Sequence, residues 1–365
     1  MKRLMWFRSS FVVAGGCLPP LIGLLCASPL PAACTEESIA GTAEQMFVRH
    51  LTGCSEQEQT ARAVTAEELL AALNSGKGVD LAGVVVSGDL RLDELTPVPV
   101  DAILGLSADE RNAVSGLNVR EVRLVSGPLS IRDSVVKGTI STGIKEGYVL
   151  MRGPVILTGT VFEHLLDLSR CVFLGPVDLS KAVILREGFF VHGRFTGQAR
   201  FAQTAFGVHS RFFRSVFAEP VTYVQAEFNG LAEFLEVTFQ KDVDFSQATF
   251  KMGTGFSGSE FLKRADFSEA VFEREAFFLF SMFGEDASFR QATFRSVADF
   301  SDSQFKGSED FTNTRFEKQP QFTRAQLVGG RSTPFQARGS IFQLAFTAVL
   351  LLFAAALVAY LIRAR

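Results

Sequence analysis

The residues GTGFSG at 253–258 satisfy the pattern G-x-G-x-x-G. That spacing cradles a nucleotide phosphate on backbone amides when a strand leads in and a helix follows. Here no helical pattern follows, and Phe256 falls in register with a phenylalanine series that runs through the surrounding chain, so nucleotide binding is not the reading. The triplet GYV at 147–149 would have to lie inside a membrane to line an ion filter, and it stands far from any apolar span. His50, His164, His192 and His209 occupy unlike positions and make no metal column. Neither a nucleophile elbow nor a Walker motif occurs. The sequence nominates no catalytic residue, no cofactor and no metal.

Cysteine and aspartate carry the remaining candidate chemistry. Cys17 and Cys26 fall in an N-terminal export signal, which leaves Cys34, Cys54 and Cys171. Cys34 and Cys54 flank a segment read as helical, and in an oxidising compartment they are expected to form a disulfide that pins it. Cys171 stands two residues before Phe173, where neighbouring units carry Thr160 and Ala182, so it is read as a buried small hydrophobe rather than a reactive thiol. Asp178, Asp244, Asp266 and Asp310 recur at multiples of 22, with Arg200 and Ser288 interrupting the column. They are expected to be turn residues bonding nearby amides, the alternative being contact with a cation or a cationic partner.

The elements that position these residues follow from composition and pattern. The 365 residues include 37 Phe against 3 Tyr and 1 Trp, a bias that a generic core does not explain. The net charge is −3, and residues 157–327 carry 18 Lys plus Arg against 22 Asp plus Glu, so neither nucleic acid nor an anionic membrane surface is the expected main partner. Lys2, Arg3 and Arg8, an apolar run over 11–28 and the small residues of SPLPAAC predict a signal peptide over 1–33, removed in the mature chain. Acylation of Cys34 as a lipoprotein is the alternative, against which Pro31 replaces the usual aliphatic residue. Residues 341–362 carry no charge across 22 positions, enough to cross about 30 Å of hydrocarbon at ~1.5 Å per residue. A single C-terminal transmembrane helix is therefore expected, after a linker at 333–340 and before a basic tail at 363–365. With the export signal, it places everything before about residue 335 outside the cytoplasm, periplasmic or extracellular.

Between these ends lies a strict repeat. Stepping by eleven from Phe201 reaches Phe245, Phe256, Phe267, Phe289 and Phe300, and a second series five residues on holds Phe206, Phe250, Phe261, Phe272, Phe294 and Phe305. The two series define sixteen eleven-residue units from 157 to about 332, with every key position apolar or aromatic. A helix turns about 140° between residues five apart, and a straight strand reverses its face at each step of five, so neither gathers both series. A chain that turns a corner about every fifth residue does gather them. Small residues two before the phenylalanines, such as Val243, Ala248, Ala265, Ala270, Ala287, Ala292 and Ala298, are expected to point inward beside them. Gly175, Gly197, Gly207, Gly230, Gly284 and Gly307 follow key residues and are expected to supply a bulge or a positive φ at the corner.

Units such as ADFSEAVF (265–272) and ASFRQATF (287–294) resemble the pentapeptide-repeat proteins, in a Phe-rich variant whose unit is two pentapeptides plus one residue. The resemblance implies an all-β solenoid, a right-handed quadrilateral β-helix with two units per coil, about eight coils and a rod on the order of 40 Å long. Its interior would be the ladder of Phe245, Phe250, Phe256, Phe261, Phe267, Phe272, Phe289, Phe294, Phe300 and Phe305. Upstream, Leu81, Val86 and Leu92 keep the 5,6 step, as do Ile131 and Val136, so 79–156 is read as irregular coils with an insertion at 93–120. Residues 34–78 are expected to form a short helical cap, with a capping box of Thr65 and Glu68 and a stop at Gly76. The expected function is non-enzymatic: a membrane-anchored, extracytoplasmic scaffold that binds an unknown protein partner and no nucleic acid. The alternative is a β-helix enzyme acting on an envelope or extracellular polysaccharide, for which the 93–120 insertion would have to build a charged cleft.

Overall fold

In the computed structural model, residues 33–37 and 45–328 are described. Residues 1–32 of the expected signal, the linker at 333–340, the transmembrane helix at 341–362 and the tail at 363–365 lie outside them. Among the described residues, no helix is long and apolar enough to cross a membrane.

Strands of two or three residues succeed one another around a four-sided coil, and stacked coils form four sheets of 12, 11, 9 and 10 strands. We number the faces 1 to 4 in chain order, as in the coil built from Val243–Asp244, Thr249–Phe250, Thr254–Gly255 and Glu260–Phe261. Each strand pairs in parallel with the one 22 residues later: Val243 with Ala265, Thr249 with Val271, Thr254 with Ala276, Glu260 with Met282. The chain is thus an all-β solenoid with two eleven-residue units per coil.

The ladder phenylalanines fill its interior, each at most 4% exposed. Rings one coil apart stack, Phe245 on Phe267 at 5.0 Å and Phe250 on Phe272 at 4.8 Å. Across the coil they meet edge to face, Phe245 with Phe256 at 5.4 Å and 82°. Both geometries suit the ring quadrupole and add about 0.5–1.5 kcal/mol per pair beyond burial. The alanines at 248, 265, 270, 287, 292 and 298 and Val243 are buried beside them.

The corners depart from expectation. A left-handed residue recurs every eleven positions, among them Arg214, Gln225, Glu236, Gln247, Gly258, Glu269, Phe280 and Gln291. Each follows the first ladder residue of its unit by two, in a tight turn such as that closed by the Ala248 amide donating to the Phe245 carbonyl at 3.1 Å. The six glycines expected to supply a bulge or a positive φ have no positive φ. They are needed because the coil below comes too close: a Cβ on Gly230 would lie 1.9 Å from the Val208 carbonyl oxygen, and one on Gly197 2.8 Å from the backbone of Gly175.

The N-terminal segment is not simply helical. Strand β1 (Thr35–Glu37) pairs antiparallel with β2 (Met46–Thr52), which pairs in parallel with Gly78–Ala82 of face 1. Helices α1 (Glu56–Ala61) and α2 (Ala66–Asn74) follow, each with a capping box, and α2 buries Leu69 and Leu73 over the open end of the interior. The open edge of face 1 supplies unpaired backbone groups, and the β-prone run MFVRHLT satisfies them.

Beyond the cap, Val85 pairs with Val135, 50 residues on, and the excess over one coil is the 28-residue length of 93–120. Val136 then pairs with Phe162 at a step of 26, four more than a regular coil, and the extra residues fall between the strands Ile140–Ser141 and Val149–Met151. The insertion contributes Pro97–Pro99, antiparallel to Glu121–Val125 at the edge of face 4, and a helix at Ala108–Ser115. Its Ile103, Leu106, Val114 and Leu117 form a small core with Leu150 and Val172 of face 4.

Candidate interaction faces

Cys34 and Cys54 are joined by a disulfide, and they bracket the antiparallel pair at Thr35–Glu37 and Met46–Thr52 rather than a helical segment. Cys171 is buried, and burial pushes its thiol well above the ordinary range. The histidines are dispersed. His50 lies 3.2 Å from Asp80, which Arg132 holds at 2.7 Å, and His209 lies 3.2 Å from Glu233, which Arg211 holds at 2.7 Å. His192 sits at a left-handed corner, where burial and then the charges of Arg170 and Arg214 lower its pKa. Among the described residues, no group of three or more His, Cys, Asp or Glu is placed to hold a metal ion.

The aspartate column lies on face 1, and each carboxylate accepts from an amide two residues on. Asp178 takes Ser180 at 2.8 Å, Asp244 takes Ser246 at 2.8 Å, Asp266 takes Ser268 at 2.9 Å and Asp310 takes Thr312 at 2.8 Å. These are turn-bracing bonds, and Arg264 further pairs with Asp266 at 2.6 Å. Between Arg200 and Arg264, a shallow groove of about 320 Å³ is floored by Thr222 and Asp244. Both sides of the coil carry side-chain ladders 22 residues apart. Gln203 donates to Gln225 and Gln225 to Gln247, each at 2.8 Å, along the corner between faces 1 and 2. Arg214 pairs with Glu236 at 2.7 Å along the corner between faces 3 and 4.

Face 3 has another character. Its outward residues, coil by coil, are Asp167, Phe189, Arg211, Glu233, Gly255, Phe277 and Asp299. Phe277 is 38% exposed and Phe280, at the adjoining corner, 66% exposed. Leu185, Val208, Leu231 and Met252 are exposed along the corner between faces 2 and 3. The GTGFSG stretch finds its place here. Phe256 is a core ring, whereas Gly253, Gly255 and Gly258 leave one coil of face 3 bare, with Leu231, Leu235 and Glu236 of the preceding coil leaning toward them.

The eleven-residue units have the length and the inward small and large residues of paired pentapeptides. Residues 223–271 match a family model described as pentapeptide repeats (9 copies). That matched stretch of the solenoid consists of pentapeptide repeats. No curated protein and no solved structure matches the chain.

Within this solenoid, sequence reasoning overlooked the residues of face 3, although a signal was there. From 157 to 327 every phenylalanine belongs to one of the two series except Phe189, Phe213, Phe277 and Phe280. All four map to face 3 or to its corner with face 4. Their surplus is invisible in a count of 37 phenylalanines and plain once the ladder is subtracted.

Proposed function

We propose that this chain is a non-enzymatic scaffold, anchored by a span at 341–362 with its solenoid outside the cytoplasm, and that face 3 is its protein-binding surface. One observation carries the reading: the phenylalanines that the core does not use are gathered on one face of a rod whose interior already fixes its shape. Exposed aromatic side chains cost solubility and anchor interfaces. The Cys34–Cys54 bond supports an oxidising compartment, since such bonds persist outside the reducing cytosol. For the polysaccharide-enzyme alternative the insertion would have to form a charged cleft. It instead packs an apolar lobe on face 4, and its Asp93 is tied to Arg91 at 2.6 Å.

The test uses the full chain in intact cells. A photoreactive residue in place of Phe280 is expected to form protein adducts, and one in place of Thr222 on face 1 far fewer. Equal yields from both positions would sink the reading. A membrane-impermeant thiol label that fails to reach Gln247→Cys, exposed on the corner between faces 1 and 2, in intact spheroplasts would overturn the topology.

A further inference from the structure

Phe280 is the anomaly of the surface. Its counterparts at the same corner, Arg170, His192, Arg214, Glu236, Gly258, Asp302 and Arg324, are all polar or glycine. A left-handed conformation costs a non-glycine residue about 1–2 kcal/mol, and a bulky aromatic residue rarely adopts it. Phe280 has φ 55° and is 66% exposed, so it gains little burial within the chain to offset that cost. It stands beside Phe277 and Leu279, one coil beyond the bare glycines of 253–258. On the other side of those glycines stand Leu231 and Leu235, whose side chains lean over them.

We propose that face 3 docks face 3 of a second copy of this chain, antiparallel, about a twofold axis that passes across Gly255. The order of outward residues argues for this occupant. Counting coils from Gly255, Glu233 and Arg211 lie one and two coils to one side, and Phe277 and Asp299 one and two coils to the other. Antiparallel apposition sets Arg211 of each copy against Asp299 of the other, and Phe277 and Phe280 against the coil of Leu231, Glu233, Leu235 and Glu236, whose carboxylates Arg211 and Arg214 of the same copy already pair. A parallel apposition would set Arg211, Glu233 and Asp299 each against its own copy, three like-charge contacts. Every antiparallel contact occurs twice, as an isologous interface requires. The glycines at the axis carry no side chain and let the two sheets approach there. Asp299 has a carboxylate oxygen to spare, since its Oδ1 accepts the Ser301 amide at 2.9 Å.

The inference rests on reading face 3 as a protein-binding surface, but it fails separately if the Phe280 adducts hold other proteins and never this chain. The test is the protein mass of the full chain in detergent, read by light scattering. The wild type is expected to be a dimer. Phe280→Asn is expected to weaken association about a hundredfold or more while its thermal midpoint holds or rises, because asparagine accepts the left-handed corner. Asp299→Arg is expected to give monomers, and Arg211→Asp combined with Asp299→Arg to restore the dimer. A monomeric wild type overturns the proposal and leaves the face to another macromolecule. A Phe280→Asn dimer of unchanged affinity overturns it as well. Failure of the double variant to regain the dimer overturns the antiparallel arrangement.

Discussion

Faces 1 and 3 differ in nothing that the interior can sense. Both are parallel sheets that advance 22 residues per coil, and both turn a small residue inward before each ladder phenylalanine. Outward, face 1 offers Asp178, Arg200, Thr222, Asp244 and Asp266, while face 3 offers Phe189, Arg211, Glu233, Gly255 and Phe277. The inward positions answer to close packing, which admits few shapes. The outward positions answer to the fold only through turn-bracing bonds such as those of Asp244 and Asp266, which apolar residues cannot make, so a concentration of apolar residues there needs a cause outside it. A stacked-repeat rod therefore separates the residues that fold it from those that bind, more cleanly than a globular domain does.

The comparison breaks most completely from within. Phe256 is fully buried and stacks on Phe278 at 5.0 Å, so Phe256→Ala is expected to cost about 3–5 kcal/mol in urea unfolding. Faces 1 and 3 should loosen together in hydrogen exchange, and loss of protection on face 3 alone would show that the faces fold separately. Tyr223 sharpens the same point with the opposite sign. It replaces a phenylalanine in the ladder, stacks on Phe201 at 4.7 Å and on Phe245 at 4.6 Å, and its buried hydroxyl has no partner among the described residues. Tyr223→Phe is expected to stabilise the chain by about 1–2 kcal/mol, and an unchanged or lower thermal midpoint would contradict that.

Smaller effects distinguish inside from outside. Ser281 donates from a buried hydroxyl to the Phe256 carbonyl at 2.9 Å, so Ser281→Ala is expected to cost about 1 kcal/mol. Gln247, exposed in the corner ladder, is expected to change stability by less than about 0.5 kcal/mol when replaced by alanine. A larger loss at Gln247 would mean that the outer ladders help to hold the coils together.

The last effect belongs to the capped end of face 1. Burial raises the pKa of Asp80, but the hydrogen bond and charge of Arg132, with His50 nearby, more than offset it and leave the carboxyl below its ordinary value. A lowered pKa contributes stability above the unfolded value of about 3.9, and that contribution is lost as pH falls through the folded value. Asp80→Asn should thus be less stable than wild type at pH 7 and converge with it in acid, below the unfolded value. A gap that persists in acid would assign the effect to packing.

What was legible in the sequence tracks how strictly physics limits each position. The ladder was readable because only large apolar residues fill the interior, and the small inward residues because they share its pleat. The left-handed corners were not, since glutamine, arginine, glutamate and phenylalanine all occupy them, held there by the stacking of neighbouring coils. The glycines were legible as special, though their reason lay in the coil below and not in their own turn. The strands of the cap escaped notice because an open sheet edge elsewhere in the chain imposes their conformation on MFVRHLT. The four surplus phenylalanines of face 3 lay hidden among the ladder they do not belong to.

Two eleven-residue units make one coil, and this has a consequence for insertions and deletions. Removing a single unit leaves every remaining ladder residue at a ladder position, so the core closes as before. All downstream residues then move half a turn around the axis, and what stood on face 1 stands on face 3. Removing two units shortens the rod by one coil and leaves each face in its place. The chain can fold in steps of eleven, but its surface can be inherited only in steps of 22.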